Sequence, residues 1–353
     1  MAQAIDNGII LKYPDSPCPV FNPCIFTLTG AMARTRVFIS NGTQSYRAVY
    51  QTPGGGVLDL REFMQSFFAD MDLSQEFANL TDIKVSELGK TVNLTLFALD
   101  TDGTTLAQFN VSVSCVWGAL KPSEEYGGLR TIRWFTHFPL TLSIYAPQNG
   151  SIVYDTDPMS IPEPTPTLVN VLIENDPSDG HGFDVDRTYQ RQGHTVRVTE
   201  YTIIPDDHDE GIYLRWIDRH GLWRHWLFKK GDPTVTAASR FGLWNRNDYG
   251  KYDAGNGYVG GKGWQGDAGR RQSYTRNDVQ PLCAPLVTQE VFDMLQDITT
   301  SPVVDMFLGY GTLNRPNWTA VTVEAGSYTK DWKKPEQDFV FNLIMPETHT
   351  QTL

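Results

Sequence analysis

Apolar and polar residues alternate with a period of two over much of this chain, the mark of strands with one buried face. The pattern is plainest in Asn93–Leu99, where Leu94, Leu96 and Ala98 interleave with Asn93, Thr95 and Phe97. Leu106–Val116 follows across the turn sequence Asp100-Thr101-Asp102-Gly103. Further strands are expected at Cys18–Leu28, broken at Pro23, and at Arg36–Ile39 and Tyr46–Tyr50 around Asn41-Gly42. Ile132–Phe138 and Leu140–Tyr145 read as another hairpin. In the second half, strands are expected near Leu168–Ile173, along His194–Ile204, and at Gln272–Leu282, Val303–Leu308, Thr319–Glu324 and Phe339–Met345. The helical period appears once in each half. Leu60, Phe63, Met64, Phe67 and Phe68 make one apolar face, and Val291, Phe292, Leu295 and Ile298 make another behind a capping Thr288.

The strongest local signal is Gly211–Asp232. Ile212–Ile217 and Leu222–Phe228 are rich in aromatic and branched residues and flank Asp218-Arg219-His220-Gly221. Asp can open such a turn through its side chain, and Gly can close it where φ is positive. Trp223 and Trp226 are three apart, so in a strand they face opposite sides. A hairpin with rings on both faces is either central to a sandwich or an interface element, and the core reading is favoured. His220 and His225 read as surface turn and strand residues.

The alternation therefore predicts a mainly β protein of β-sandwich-like domains, with one short amphipathic helix inserted in each half. Four prolines in Asp155–Thr167 predict a stiff connector. Residues 1–154 then form an N-terminal β domain with a helix near 58–70, and residues 168–353 a C-terminal one. The latter holds a long Gly/aromatic loop, 231–271, with no regular structure expected; a loop of that length usually has a function or is disordered.

Composition narrows the function. The formal net charge is −12, which disfavours non-specific nucleic-acid binding and attraction to anionic membrane. No apolar run reaches the length of a membrane span, and the first residues lack the charged and apolar regions of a signal peptide. Cys18, Cys24, Cys115 and Cys283 match no zinc spacing; a Cys18–Cys24 disulfide is conceivable, but buried free thiols are favoured. Six Asn-x-Ser/Thr sites carry no weight without a secretory signal.

Catalytic motifs fail one by one. Gly255-Asn256-Gly257-Tyr258-Val259-Gly260 spells a dinucleotide fingerprint without its preceding strand and following helix. Gly261-Lys262 lacks the Ser or Thr of a phosphate loop. Asp206–Glu210 could offer oxygens to a hard cation but reads as a solvated acidic turn. Asn175–Asp186 fails as a calcium loop at Pro177. Neither a G-x-S-x-G elbow nor an H-E-x-x-H helix is present. No catalytic, cofactor-binding or metal-binding residues are therefore assigned, and no cofactor is expected. The remaining candidates are Trp244, Tyr249, Tyr252, Tyr258 and Trp264, rings spaced along the Gly-rich loop. Such rings bring large contact area at low entropy cost and point to partner or subunit contact, ahead of packing on the chain's own sandwich and of sugar stacking.

Thr300–Phe307 (TSPVVDMF) and Asn317–Leu353, with its V-x-V-x-x-G-S-Y turn, add a second signal. Together with the YLRWIDRHGLWRHWLF hairpin, this C-terminal stretch, roughly residues 200–353, resembles structural tail or baseplate (distal-tail-like) proteins of tailed bacteriophages and prophages of Bacteroidetes-type bacteria. The resemblance implies a non-enzymatic virion subunit, made in the host cytoplasm and assembled as a homo-oligomeric ring with other tail proteins. The long 231–271 loop departs from a minimal distal-tail protein and leaves room for an adaptor role or for contact with a host-surface glycan. The alternative is a carbohydrate- or receptor-binding module using those rings. A glycan-active enzyme with a spatially formed carboxylate pair is a third reading, which sequence does not display.

Overall fold

In the computed structural model, Ala2–Asp6 and Ile9–Tyr13 open the chain as an antiparallel pair. Their turn is Asn7-Gly8, with φ of +47° and +76°, a left-handed pair that matches the twist of a two-residue hairpin. The structure describes residues 1–73, 83–122, 124, 126–127, 131–146, 151–154, 157–160, 167–173, 184–185, 189–191, 194–196, 201–239, 243–244, 251–253, 255, 257–259, 270–271, 273–311 and 315–346.

The N-terminal part is a sandwich. One sheet runs Ala2–Asp6, Ile9–Tyr13, Ile25–Thr29, Gly55–Asp59. The facing sheet runs Cys18–Pro19, Thr105–Val116, Gly89–Leu99, Arg34–Ser40, Ser45–Gln51. Leu11, Phe26, Leu28 and Leu58 from the first meet Val37, Ile39, Leu94, Leu96 and Phe109 from the second in one core. The alternation in Asn93–Leu99 holds, with Leu94, Leu96 and Ala98 buried. The helix Arg61–Ser66 contributes Met64 to this core, and Phe67 and Phe68 follow it inward.

The C-terminal part is a single eight-stranded sheet in the order Pro316–Ala320, Val304–Tyr310, Ile212–Ile217, Trp223–Lys230, Tyr274–Thr288, Glu336–Ile344, Thr322–Val323, with Thr234–Ser239 paired to Tyr274–Thr288 as a branch. Its two edge strands are separated in sequence by Val321 alone, whose N–H donates to the Val304 carbonyl. One bent strand thus serves both ends of the sheet and curls it towards a barrel-like arrangement. The helix Gln289–Gln296 and its 3₁₀ extension Asp297–Thr299 send Phe292, Leu295 and Ile298 into the core. Thr288 caps the helix, its Oγ1 accepting from Val291 N–H at 3.4 Å.

The fold class is thus mainly β, with one short α-helix in each half among the described residues. Three local expectations are corrected. Ile132–Phe138 and Leu140–Tyr145 do not pair with each other. Thr131–Phe135 lies parallel to Tyr201–Asp206, while Leu140–Ala146 is antiparallel to Thr167–Ile173. Long-range partners outcompete the short connection, a choice that local pattern does not encode. His194–Ile204 is divided into His194–Val196 and Tyr201–Asp206, each with a different partner; residues 197–200 lie outside the described residues. The 231–271 stretch is not without regular structure, since Thr234–Ser239, Leu243–Trp244, Lys251–Asp253, Gly257–Val259 and Arg270–Arg271 are strands. Within the Pro-rich stretch, Asp157–Ser160 pairs with Ser151–Tyr154, and Pro158 stands opposite Val153. A two-stranded ribbon tolerates that proline because only one N–H is lost at an edge. Ile83–Val85 joins Thr167–Ile173, so this sheet draws on strands before and after that stretch.

Candidate functional site

The central hairpin is built as its sequence asks. Asp218 Oδ1 accepts from the N–H groups of His220 and Leu222, both at 2.9 Å, and Gly221 has φ +73°. All six residues of Ile212–Ile217 and the first six of Trp223–Lys230 are buried. Trp226 belongs to the main C-terminal core. Trp223 packs instead with Leu88, Leu168, Ile217 and Leu222, so the two rings do face opposite sides.

The turn docks onto the end of the N-terminal sandwich. Ala119 N–H donates to the Arg219 carbonyl at 2.7 Å. A Cβ on Gly118 would sit 2.6 Å from that carbonyl oxygen, and one on Gly221 would sit 2.9 Å from the Trp117 carbonyl oxygen. Only glycine permits this approach at both positions. Beside the contact lies an open cleft of about 690 Å³, within the range of small-ligand sites. Phe21 and Trp117 form one wall, edge to face at 5.5 Å, with Phe21 45% exposed. Gln296, Asp297, Thr300 and Ser301 form the other.

Charge is concentrated where the turn meets this cleft. Asp218 Oδ2 accepts from Arg224 Nε at 2.7 Å, both side chains buried. Arg219 is held from two sides. Its Nε donates to both Glu124 oxygens at 2.8 and 2.9 Å, and its Nη1 donates to Asp297 Oδ1 at 2.6 Å. The two carboxylates respond in opposite ways. At Asp297 burial outweighs the pairing and raises the carboxyl to about 6. At Glu124 burial opposes, but the Arg219 and Lys121 hydrogen bonds prevail and hold the carboxyl at about 2. His220 accepts the Gly127 N–H at Nδ1, 3.2 Å away, and places Nε2 3.3 Å from Glu124. Burial lowers its pKa, which fits a neutral ring donating through Nε2. His225 is buried against Tyr213, with ring centres 5.9 Å apart. Burial, with Arg215 and Arg224 nearby, depresses it to about 3. Both histidines, expected at the surface, are buried: Tyr126, Gly127 and Glu124 cover His220 at the turn, and Tyr213 and Trp318 cover His225 in the strand. A turn motif alone does not show what lies above it.

This network is saturated by its own partners. It can fix the turn against the sandwich, and it leaves the cleft walls, aromatic on one side and hydroxyl-rich on the other, for contact with a ligand or partner. Asp206, Asp207 and His208 bring ligand atoms within 4.8 Å of one another. Asp206 is already engaged, at Oδ1 by His208 Nδ1 and at Oδ2 by Arg133, which describes a braced turn.

The five loop rings lie along the stretch that follows Gly231. Trp244 stands opposite Arg270, and Tyr252 stands opposite Tyr258 in a separate short hairpin. Tyr249 and Trp264 lie outside the described residues. The cleft, the docked turn and the buried charges carried no motif; the Asp-x-x-Gly turn and the pairs Trp117-Gly118 and Arg219-His220 were the signals available. The sequence matches no protein family and no curated protein.

Proposed function

We propose that the protein is a non-enzymatic virion structural subunit of the tail tip, baseplate or adaptor, assembling as a homo-oligomeric ring and with other tail proteins. The observation that carries the reading is an arm. Thr234–Ser239 and Tyr274–Val279 leave the barrel as a paired ribbon. Residues 231–238 and 274–277 are exposed without interruption. The pairing resumes at Leu243–Trp244 with Arg270–Arg271, and again at Lys251–Asp253 with Gly257–Val259. A two-stranded ribbon exposed on both faces is marginal alone, so a partner surface would stabilise it. Between Gly231 and Val279 the chain has seven Lys or Arg against five Asp or Glu, in a protein of net charge −12. That contrast supports contact between the arm of one copy and the acidic body of the next, the head-to-tail geometry of a ring.

The test is native mass and negative-stain imaging of the full chain beside a variant in which Ser239 is joined to Tyr274 by Asn-Gly. A closed ring that falls to a folded monomer on shortening supports the reading. A wild-type monomer at high concentration, indifferent to the deletion, sinks it. The Phe21–Trp117 wall favours a second reading, contact with a glycan, which a glycan array with Trp117→Ala as control would separate from assembly.

A further inference from the structure

Cys18 and Cys24 lie on opposite sides of the N-terminal sandwich's seam. Cys18 sits in the five-stranded sheet, in parallel register with Cys115. Cys24 immediately precedes Ile25–Thr29 of the four-stranded sheet. Its N–H donates to Asp59 Oδ1 at 3.0 Å, and its carbonyl accepts from Leu60 at 3.0 Å. The residues between them are pinned as well. Val20 and Phe21 donate to the carbonyls of Val116 and Gly118, and Asn22 donates to that of Pro19. Both cysteines are therefore fixed from the backbone, with their sulfurs 3.6 Å apart and buried.

We infer that Cys18 and Cys24 are a dithiol–disulfide couple, and that their bridge is a redox-formed staple between the two sheets of the N-terminal sandwich. Closing from 3.6 Å to the bonded distance of about 2.05 Å needs a movement of roughly 1.5 Å, within reach of side-chain rotation. The hydrogen bond between the thiols separates their acidities: it lowers Cys18 and, with burial, raises Cys24. Cys18 is accordingly the sulfur that ionises first and attacks. With hydrogen peroxide as oxidant, the Cys18 thiolate attacks one peroxide oxygen, the O–O bond breaks, and hydroxide leaves to become water on taking a proton. Cys18 is then a sulfenic acid. The Cys24 sulfur attacks that sulfur, the S–O bond breaks, and a second water carries away the Cys24 proton. Two thiols lose two electrons, and one peroxide becomes two waters. Cys115, beside Cys18 in register, turns its sulfur to Met64 at 3.7 Å and to the Val113 carbonyl at 3.9 Å.

The purified full chain is treated with hydrogen peroxide, quenched, denatured and alkylated, then cut with chymotrypsin, which cleaves after Phe21 between the two cysteines. The expected result is alkylation of Cys115 and Cys283 only, a mass about 2 Da lower, and the Cys18 and Cys24 peptides joined until reduced. Alkylation of all four cysteines, a bridge to Cys115 or Cys283, or over-oxidation of Cys18 without a bridge would overturn the inference. A second measurement compares thermal midpoints. Oxidation raises the midpoint of the wild type and leaves Cys24→Ser unmoved; an equal rise in both overturns the staple even where a bridge is mapped.

Discussion

The N-terminal sandwich and the C-terminal barrel both bury one continuous apolar core, yet they treat polar groups differently. Among the described residues of the first 120 positions, the buried polar ones are Thr35, Thr52, Ser86 and Ser114, all hydroxyls. Thr35 and Thr52 satisfy each other at 2.8 Å. The barrel buries Arg215, Asp218, His220, Arg224 and His225. Arg215 pairs with Asp305 at 2.8 Å and lies 4.3 Å above the Trp318 ring. Hydroxyls need one partner and a buried ion needs several, so the barrel is tied to specific geometry in a way the sandwich is not. The sandwich is held by volume and alternation, whereas the hairpin at the heart of the barrel is held by charge pairs that fix its turn against the sandwich.

The sharpest way to break the comparison is a pair of truncations. Asp218→Ala removes the buried carboxylate that takes Arg224 Nε and two turn N–H groups and should cost about 3–5 kcal/mol, measured by denaturant unfolding. Leu96→Ala in the sandwich should cost about 2–5 kcal/mol through its cavity. The two separate in their salt response, which the leucine variant should lack. If Asp218→Ala unfolds no more easily than the wild type, the turn is not anchored by its charges.

Two substitutions with opposite pH signatures come next. The folded pKa of His225, about 3, lies below the ordinary 6.5. The unfolded chain therefore takes up the proton first, and stability falls as pH drops from about 6.5 towards 3, by at most about 1.4 kcal/mol per pH unit. Asp297 is raised to about 6 from 3.8. Here the folded chain holds the proton, and stability falls as pH rises through that interval. The slopes oppose each other between pH 3.8 and about 6. His225→Phe should remove the first, so that its melting temperature falls less than that of the wild type on acidification from pH 6.5 to 4. Asp297→Asn, which keeps an acceptor for Arg219, should remove the second and gain on the wild type as pH rises from 5 to 7. Parallel profiles for both variants would show that neither group is buried as described.

The smallest expected effect is at the helix over the barrel. Thr288→Ala removes one capping bond and should cost about 1 kcal/mol, read as a small drop in thermal midpoint. A loss several times larger would mean that Thr288 acts through more than its cap.

What the sequence determined by itself was local. Period-two alternation in Asn93–Leu99, the Asp218–Gly221 turn, the opposed Trp223 and Trp226, and the Thr288 cap all depend on neighbours within a few residues, and all stand in the structure. What only the tertiary structure decided was long-range partnership. Thr131–Phe135 and Leu140–Ala146 went to different sheets, Val321 bent one strand across both edges of the barrel, and the 231–271 stretch acquired paired strands. The same holds for burial. His220 and His225 looked like surface residues because a hairpin sequence does not say what covers its faces. Arg219 found Glu124 and Asp297, 95 and 78 positions away. Alternation tells which face of a strand is apolar, since that follows from the geometry of one chain segment. Which other segment covers that face, and which charges meet there, depends on contacts between residues far apart in sequence, whose pairing is selected by the fold as a whole.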